Sequence, residues 1–255
     1  RTNSVGPSFA SYASGGHQWA LAIDAAAPVA SMRADLFDAS RLRPPETWQE
    51  MIELAESGRV IAPAIAIDTL MNFFMLCAAL GEEVCQGPNR VVSPEVGVRA
   101  LSLLRQLAQR LNALAFSSNP IRVYEAMTTD DHFLYCPFAY GYSNYARPGY
   151  ARRELVFTDL VSLEGGRLRS TLGGTGLAIS ARCRHREVAA DYARFVASGA
   201  IQRTLYFDSG GQPGHRSAWT DERVNRNAGG YFQSTLSALD RAYLRPRYHG
   251  YMYFQ

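Results

Sequence analysis

The chain has 255 residues, 47% hydrophobic and 19% charged. That length is enough for one large core or two ordinary ones, and a charged share below the roughly 25% of average globular proteins fits neither a disordered nor a membrane protein. The net charge is only +3, and the 26 basic residues, all arginine, are scattered rather than gathered into the stripe with interleaved aromatics that nucleic-acid binding requires. The longest apolar stretch, Leu70 to Leu80, is interrupted by Asn72 and matches a buried helix rather than a membrane span. Cys77, Cys85, Cys136 and Cys183 lack metal-ligand spacing, which leaves buried free thiols as the default reading and no metal site.

In chain order the elements read as mixed α/β. Gln18 to Asp24 is a short apolar strand ending on an acid. Pro44-Pro45 punctuates a loop, and Thr47-Trp48-Gln49-Glu50 is a capping box that starts a helix stopped at Gly58. Val60 to Ile67 is an apolar run suited to a strand covered on both faces. Asp68 is placed to cap the next helix, which is apolar nearly all round as far as Gly81. Ser93-Pro94 opens the longest helix, with Val96, Ala100, Leu103, Leu107, Leu111 and Leu114 forming one stripe. Strands are predicted at Glu154 to Leu160 and Leu177 to Ser180. A helix is predicted around Val188, Tyr192, Phe195 and Val196, and a last one runs through Phe232, Leu236, Leu239 and Tyr243.

The segment His132 to Tyr150 is dense in tyrosine and phenylalanine. On an extended chain, Tyr135, Phe138, Tyr140, Tyr142 and Tyr145 around Gly141 would set aromatic faces along one side, where rings stack on the C–H faces of sugars and Asn144 takes hydroxyls. The same residues also suit an aromatic core. Asp24 either accepts hydroxyl hydrogen bonds from a ligand or caps a turn, and Asp68 carries the same pair of readings. Gly173-Gly174-Thr175-Gly176 has neither phosphate-loop nor dinucleotide-fold spacing; its glycines allow close approach to a ligand or positive φ. A hydrolase built on Cys136 with His132 and Asp130 or Asp131 lacks any surrounding nucleophile signature.

Together these stretches resemble the extracellular solute-binding proteins of carbohydrate ABC importers, the type II periplasmic binding fold. The resemblance rests on Trp19-Ala-Leu-Ala-Ile-Asp24, Met32 to Phe37, Pro45 to Glu50, Leu172 to Ser180, Val188 to Phe195, and Ser209 to Ser217, in that order. It implies an α/β, two-lobed architecture with the second lobe nearly complete and the first incomplete. Lobe-one pieces are expected at 1–27 and 175–209, and lobe two at 28–174 and 210–255. The family's opening units are missing before Arg1, so Val188, Tyr192, Phe195 and Val196 are expected to expose an apolar patch. The resemblance further implies binding of a mono- or oligosaccharide without catalysis or cofactor, delivery to permease subunits, and a monomer when full length. The implied location is the periplasm or the cell exterior, either soluble or lipid-anchored. The implied contacts are Asp24, Asp68, Thr69, Asn72, Tyr140, Tyr142, Asn144, Gly173, Gly174 and Thr175; many relatives carry tryptophan where Thr175 stands. A charged solute is the alternative: a polyamine would need several carboxylates in the cleft, and a phosphorylated polyol convergent arginines such as Arg216.

Overall fold

The structure, a computed structural model, describes residues 3–87, 90–248 and 250–255. Its centre is a three-stranded antiparallel sheet of β2 (Pro28–Met32), flanked by β3 (Tyr135–Tyr140) on one side and β4 (Val156–Thr158) on the other. The central strand alternates between two cores: Val29 faces one and Ala30 the other. Against the first lie Tyr124, Phe157, Phe207, Trp219, Tyr231 and Phe232. Against the second lie Phe37, Trp48, Ile52, Phe74, Leu107 and Phe138, with the Trp48 and Phe138 rings stacked at 6.3 Å.

The register between β2 and β3 slips between Val29 and Ser31, so Pro137 and Phe138 together face Ala30. A bulge tolerates the missing Pro137 amide, and it puts Tyr135 and Phe138 in one core while Cys136 and Ala139 enter the other. A strict period of two would have separated Tyr135 from Phe138.

Local chemistry explains the helices. Helix α1 (Trp48–Ala55) begins with the full capping box: Thr47 accepts from the Glu50 amide, and Glu50 accepts from the Thr47 amide. The Ser93 hydroxyl caps α3 (Pro94–Ala108), with Pro94 in the first turn. Between them, α2 (Ala66–Ala79) buries Met71, Phe74, Met75, Leu76 and Cys77, the all-round apolar helix that the sequence predicts. Arg33, 1% exposed, ties the sheet edge through Asp35, Asp131 and the Met127 carbonyl.

Several expectations are corrected. Residues 60–67 are not a strand. Val60 makes one parallel bridge to Tyr135, and the helix has already begun at Ala66. The N-cap is therefore Ile65, and Asp68 lies inside the first turn without capping it. The 93–114 stripe divides into α3 and a 3-10 turn at Ala113–Ser117, because the Asn112 side chain accepts from the Leu114 amide and restarts the chain. Leu21–Ala22 (β1) and Gly176–Leu177 (β5) pair as a two-residue ladder in place of the longer strands predicted there. After the Tyr231–Arg241 helix comes a further turn of helix at Tyr251–Phe254. On the Arg186–Ala197 helix, Val188, Tyr192 and Phe195 are exposed, whereas Val196 is buried.

Candidate functional site

Three separate stretches of chain cross at one place. The Asp24 amide donates to the Thr175 carbonyl at 3.1 Å, and the Thr175 amide donates back at 3.2 Å. The Gly173 amide donates to Ala26 at 2.7 Å, while Ala25 donates to Gln212 and Gly214 to Ile23. The buried Gln212 amide fastens the crossing: its Nε2 donates to the Ala25 and Gly141 carbonyls, and its Oε1 accepts from the Ser143 amide.

The glycine pair is required by this contact. A Cβ on Gly174, whose φ is +114°, would lie 2.4 Å from the Asp24 carbonyl oxygen. One on Gly173 would lie 2.6 Å from the Tyr140 ring. Of the two readings open for these glycines, positive φ holds at Gly174, and both glycines also give room to protein neighbours, the Asp24 backbone and the Tyr140 ring.

Beside the crossing opens a cleft of about 410 Å³, lined by Asp24, Ala26, Ile67, Met71, Tyr140, Gly141, Tyr142, Gly173, Gly174, Thr175, Gln212 and Arg245. The Tyr140 hydroxyl is held 2.8 Å from the Thr171 hydroxyl, which fixes its ring against Gly173. Tyr142 is 41% exposed, leaving much of its ring open. Burial pushes the Asp24 carboxyl up to about 6, opposed by a Gln212 backbone hydrogen bond. Burial also pushes Asp68 up to about 6. Burial first, then the charges of both carboxylates, push the Tyr142 hydroxyl up. Such a cleft can accept hydroxyl hydrogen bonds at a carboxylate and stack a ring face on a tyrosine.

Six of the eleven residues singled out from sequence therefore line the cleft: Asp24, Tyr140, Tyr142, Gly173, Gly174 and Thr175. Asp68 is buried one residue beyond the wall residue Ile67 and acts on the cleft through its charge. The remaining four lie elsewhere. On α2, Ile67 and Met71 share a face, so Thr69 and Asn72 are turned away and line a different cavity. Asn144 sits in a 3-10 turn, and its amide donates to the Gly210 carbonyl. Arg216 is paired with Asp240, away from the cleft. The sequence reading did not single out Ala26, Ile67, Met71, Gly141, Gln212 or Arg245 as contacts. For Arg245 the available signal was Arg245-Pro246-Arg247 directly after a helix.

The hydrolase set does not assemble. Cys136 is fully buried and its thiol is pushed up to about 12, chiefly by burial. Asp131 is bound to Arg33, and the exposed His132 ring contacts the Gly58 carbonyl. No cluster of potential metal ligands occurs among the described residues.

No protein-family model matches the chain. Solved structures do. The maltose-bound MalE3 of T. maritima superposes with a TM-score of 0.83 at 19% identity, over 99% of this chain and 68% of that one. An ABC transporter solute-binding protein from Thermotoga lettingae bound with alpha-D-tagatose gives 0.76 at 17% identity, over 95% and 66%. UgpB from Mycobacterium tuberculosis in complex with glycerophosphocholine gives 0.73 at 17% identity, over 96% and 64%. The fold is thus the mixed α/β architecture of two-lobed periplasmic binding proteins, and the chain spans about two thirds of their length.

Proposed function

We propose that the chain is the non-catalytic solute-binding component of an ABC importer, taking a mono- or oligosaccharide into the cleft beside the three-way crossing. The observation that carries this reading is the cleft itself, where Asp24 and the tyrosines Tyr140 and Tyr142 meet on a glycine-lined wall. A pocket for a polyhydroxylated ligand needs a few placed hydrogen-bonding groups between apolar walls, and this one supplies both. In this reading Asp24 accepts ligand hydroxyls, Tyr140 and Tyr142 stack, and Gly173, Gly174 and Thr175 present backbone at close range.

The division into lobes follows the same crossing. The boundaries 27/28, 174/175 and 209/210 all fall within a few residues of the 24–26, 173–175 and 212–213 contacts. A hinge there would let the pieces at 1–27 and 175–209 close on 28–174 and 210–255. Delivery to membrane permease subunits and a location outside the cytoplasm belong to the same proposal. Among the described residues no helix is long and apolar enough to cross a membrane.

One observation favours the charged-solute alternative: Arg245 lines the cleft and forms no ion pair among the described residues. A guanidinium there would pair with a phosphorylated polyol and oppose a polyamine. Isothermal titration calorimetry against mono- and oligosaccharides, with a polyol and its phosphate in parallel, tests both readings. Saturable binding of a neutral sugar that is weakened by Asp24→Ala supports the first. Binding only of the phosphate, lost in Arg245→Gln, replaces it with the second.

A further inference from the structure

The cleft does not end at its glycine wall. Gly173, Gly174 and Arg245 also line a second cavity of about 440 Å³, set between Ser11-Tyr12 and the stretch 244–247. Both cavities fall inside the roughly 300–1,000 Å³ of small-molecule pockets, so a ligand seated in the cleft has a second chamber beside it. Two of the three residues at the shared boundary carry no side chain, and the third, Arg245, is long and only partly buried. A ligand longer than one sugar ring can cross there. On the far side the Tyr12 ring rests on Gly176, where an added Cβ would come within 2.6 Å of it. With Leu172 and Leu244 that ring offers an apolar face to a second sugar unit.

The two chambers differ in charge. The cleft holds one carboxylate and one guanidinium, Asp24 and Arg245. The second chamber adds Arg247 to Arg245, and no aspartate or glutamate is among its lining residues. Arg247 is fixed by its Nη1, which donates to the carbonyls of Ala10, Ser11 and Ala13 at 2.9–3.1 Å. Arg245 reaches only the Gln255 side-chain oxygen, at 3.4 Å. Neither arginine pairs with a carboxylate among the described residues. Carbonyls orient a guanidinium without neutralising it, and the Nε and Nη2 donors of Arg247 stay open to a ligand. An anion in the cleft would meet Asp24, whereas an anion in the second chamber meets two guanidinium groups and no acid.

We propose, on the sugar reading of the cleft, that the solute is an acidic disaccharide or longer glycan. A neutral unit sits beside Asp24, the chain crosses over Gly173 and Gly174, and an anionic group on the next unit pairs with Arg245 and Arg247.

Calorimetry of the 255-residue chain with pairs that differ only in one charged group tests this. The pairs are maltobionate and maltitol, lactobionate and lactitol, cellobionate and cellobiitol, and trehalose 6-phosphate and trehalose. The first three acids carry a carboxylate and the fourth a phosphate, so the panel also separates the two sources of charge. In at least one pair the acid should bind about tenfold more tightly, the effect of one charge-assisted pair. Because Arg247 is exposed, that margin should shrink as salt is raised. Arg245→Gln and Arg247→Gln should each remove most of it, and Arg247→Lys should keep part, since the charge remains while the fork is lost. Should Arg247→Gln fail to fold for want of its carbonyl contacts, Arg247→Lys and the salt series still decide. Equal affinity within every pair that binds would overturn the acidic end and leave the sugar reading standing. Absence of binding by acid and neutral members alike would remove both. An acid margin that ignores salt, or persists in full in the Arg245 and Arg247 variants, would overturn the assignment to this chamber.

Discussion

The Asp24 carboxyl gives the sharpest test of the proposed cleft. Burial holds it up to about 6, well above the 3.8 of a free aspartate. A charge-assisted hydrogen bond from a ligand hydroxyl is made to the ionised form. About a tenth of the free protein carries that form at pH 5 and about nine tenths at pH 7. Apparent affinity should accordingly weaken about tenfold, or about 1.4 kcal/mol, on going from pH 7 to pH 5. Binding should also release about half a proton per ligand at pH 6, because the ligand pulls the carboxyl into its ionised state. Calorimetry at pH 5, 6 and 7 in two buffers of different ionisation enthalpy measures both quantities. In Asp24→Asn the pH dependence and the proton release should vanish. In Asp68→Asn, where the removed carboxyl does not line the cleft, most of both should remain. Affinity that is flat from pH 5 to pH 7, or an Asp24→Asn variant that keeps the slope, would refute the assignment of Asp24 as the hydroxyl acceptor.

Asp68 itself should show in stability. Its folded pKa of about 6 exceeds the free value of 3.8, so the unfolded chain loses its proton first and stability falls as pH rises from about 4 to 6. Asp68→Asn should gain on the order of 3 kcal/mol at pH 7 and almost nothing at pH 3.5, as read by urea denaturation at the two pH values. An equal shift at both would exclude the titration as its cause. Gly174→Ala should destabilise by about 2 kcal/mol or more, because it needs both a positive φ and room that the Asp24 carbonyl occupies; an unchanged thermal midpoint would contradict that. Native-state alkylation should modify the partly exposed Cys85 and Cys183 and spare the buried Cys77 and Cys136, a result checked by mass spectrometry of the digest. Finally, Val188, Tyr192 and Phe195 present an exposed apolar face, so the 255-residue chain should self-associate. The double variant Val188→Glu, Tyr192→Glu should lower its sedimentation coefficient, and identical sedimentation of the two proteins would show that this face takes no part.

Local signals were readable wherever a side chain acts on its own neighbourhood. The capping box at Thr47–Glu50, the Ser93-Pro94 start and the apolar 66–79 helix follow from hydrogen bonds and hydrophobic spacing within a few residues. The glycine pair with Thr175 and the tyrosine-rich segment were visible as composition, and with Asp24 they supplied six residues of the cleft wall. The central strand Pro28–Met32 was not visible. Its proline, alanine and serine carry little strand propensity, and it is a strand because Tyr135–Tyr140 and Val156–Thr158 pair with it from more than a hundred residues away. Tertiary structure likewise decided which face of the 66–79 helix meets the cleft. Sequence order keeps Ile67, Asp68, Thr69, Met71 and Asn72 together, but the helical twist sends Ile67 and Met71 to one cavity and Thr69 and Asn72 to another. Gln212 and Arg245 join the site only because the chain returns twice to the crossing at Asp24, a long-range closure with no local signature.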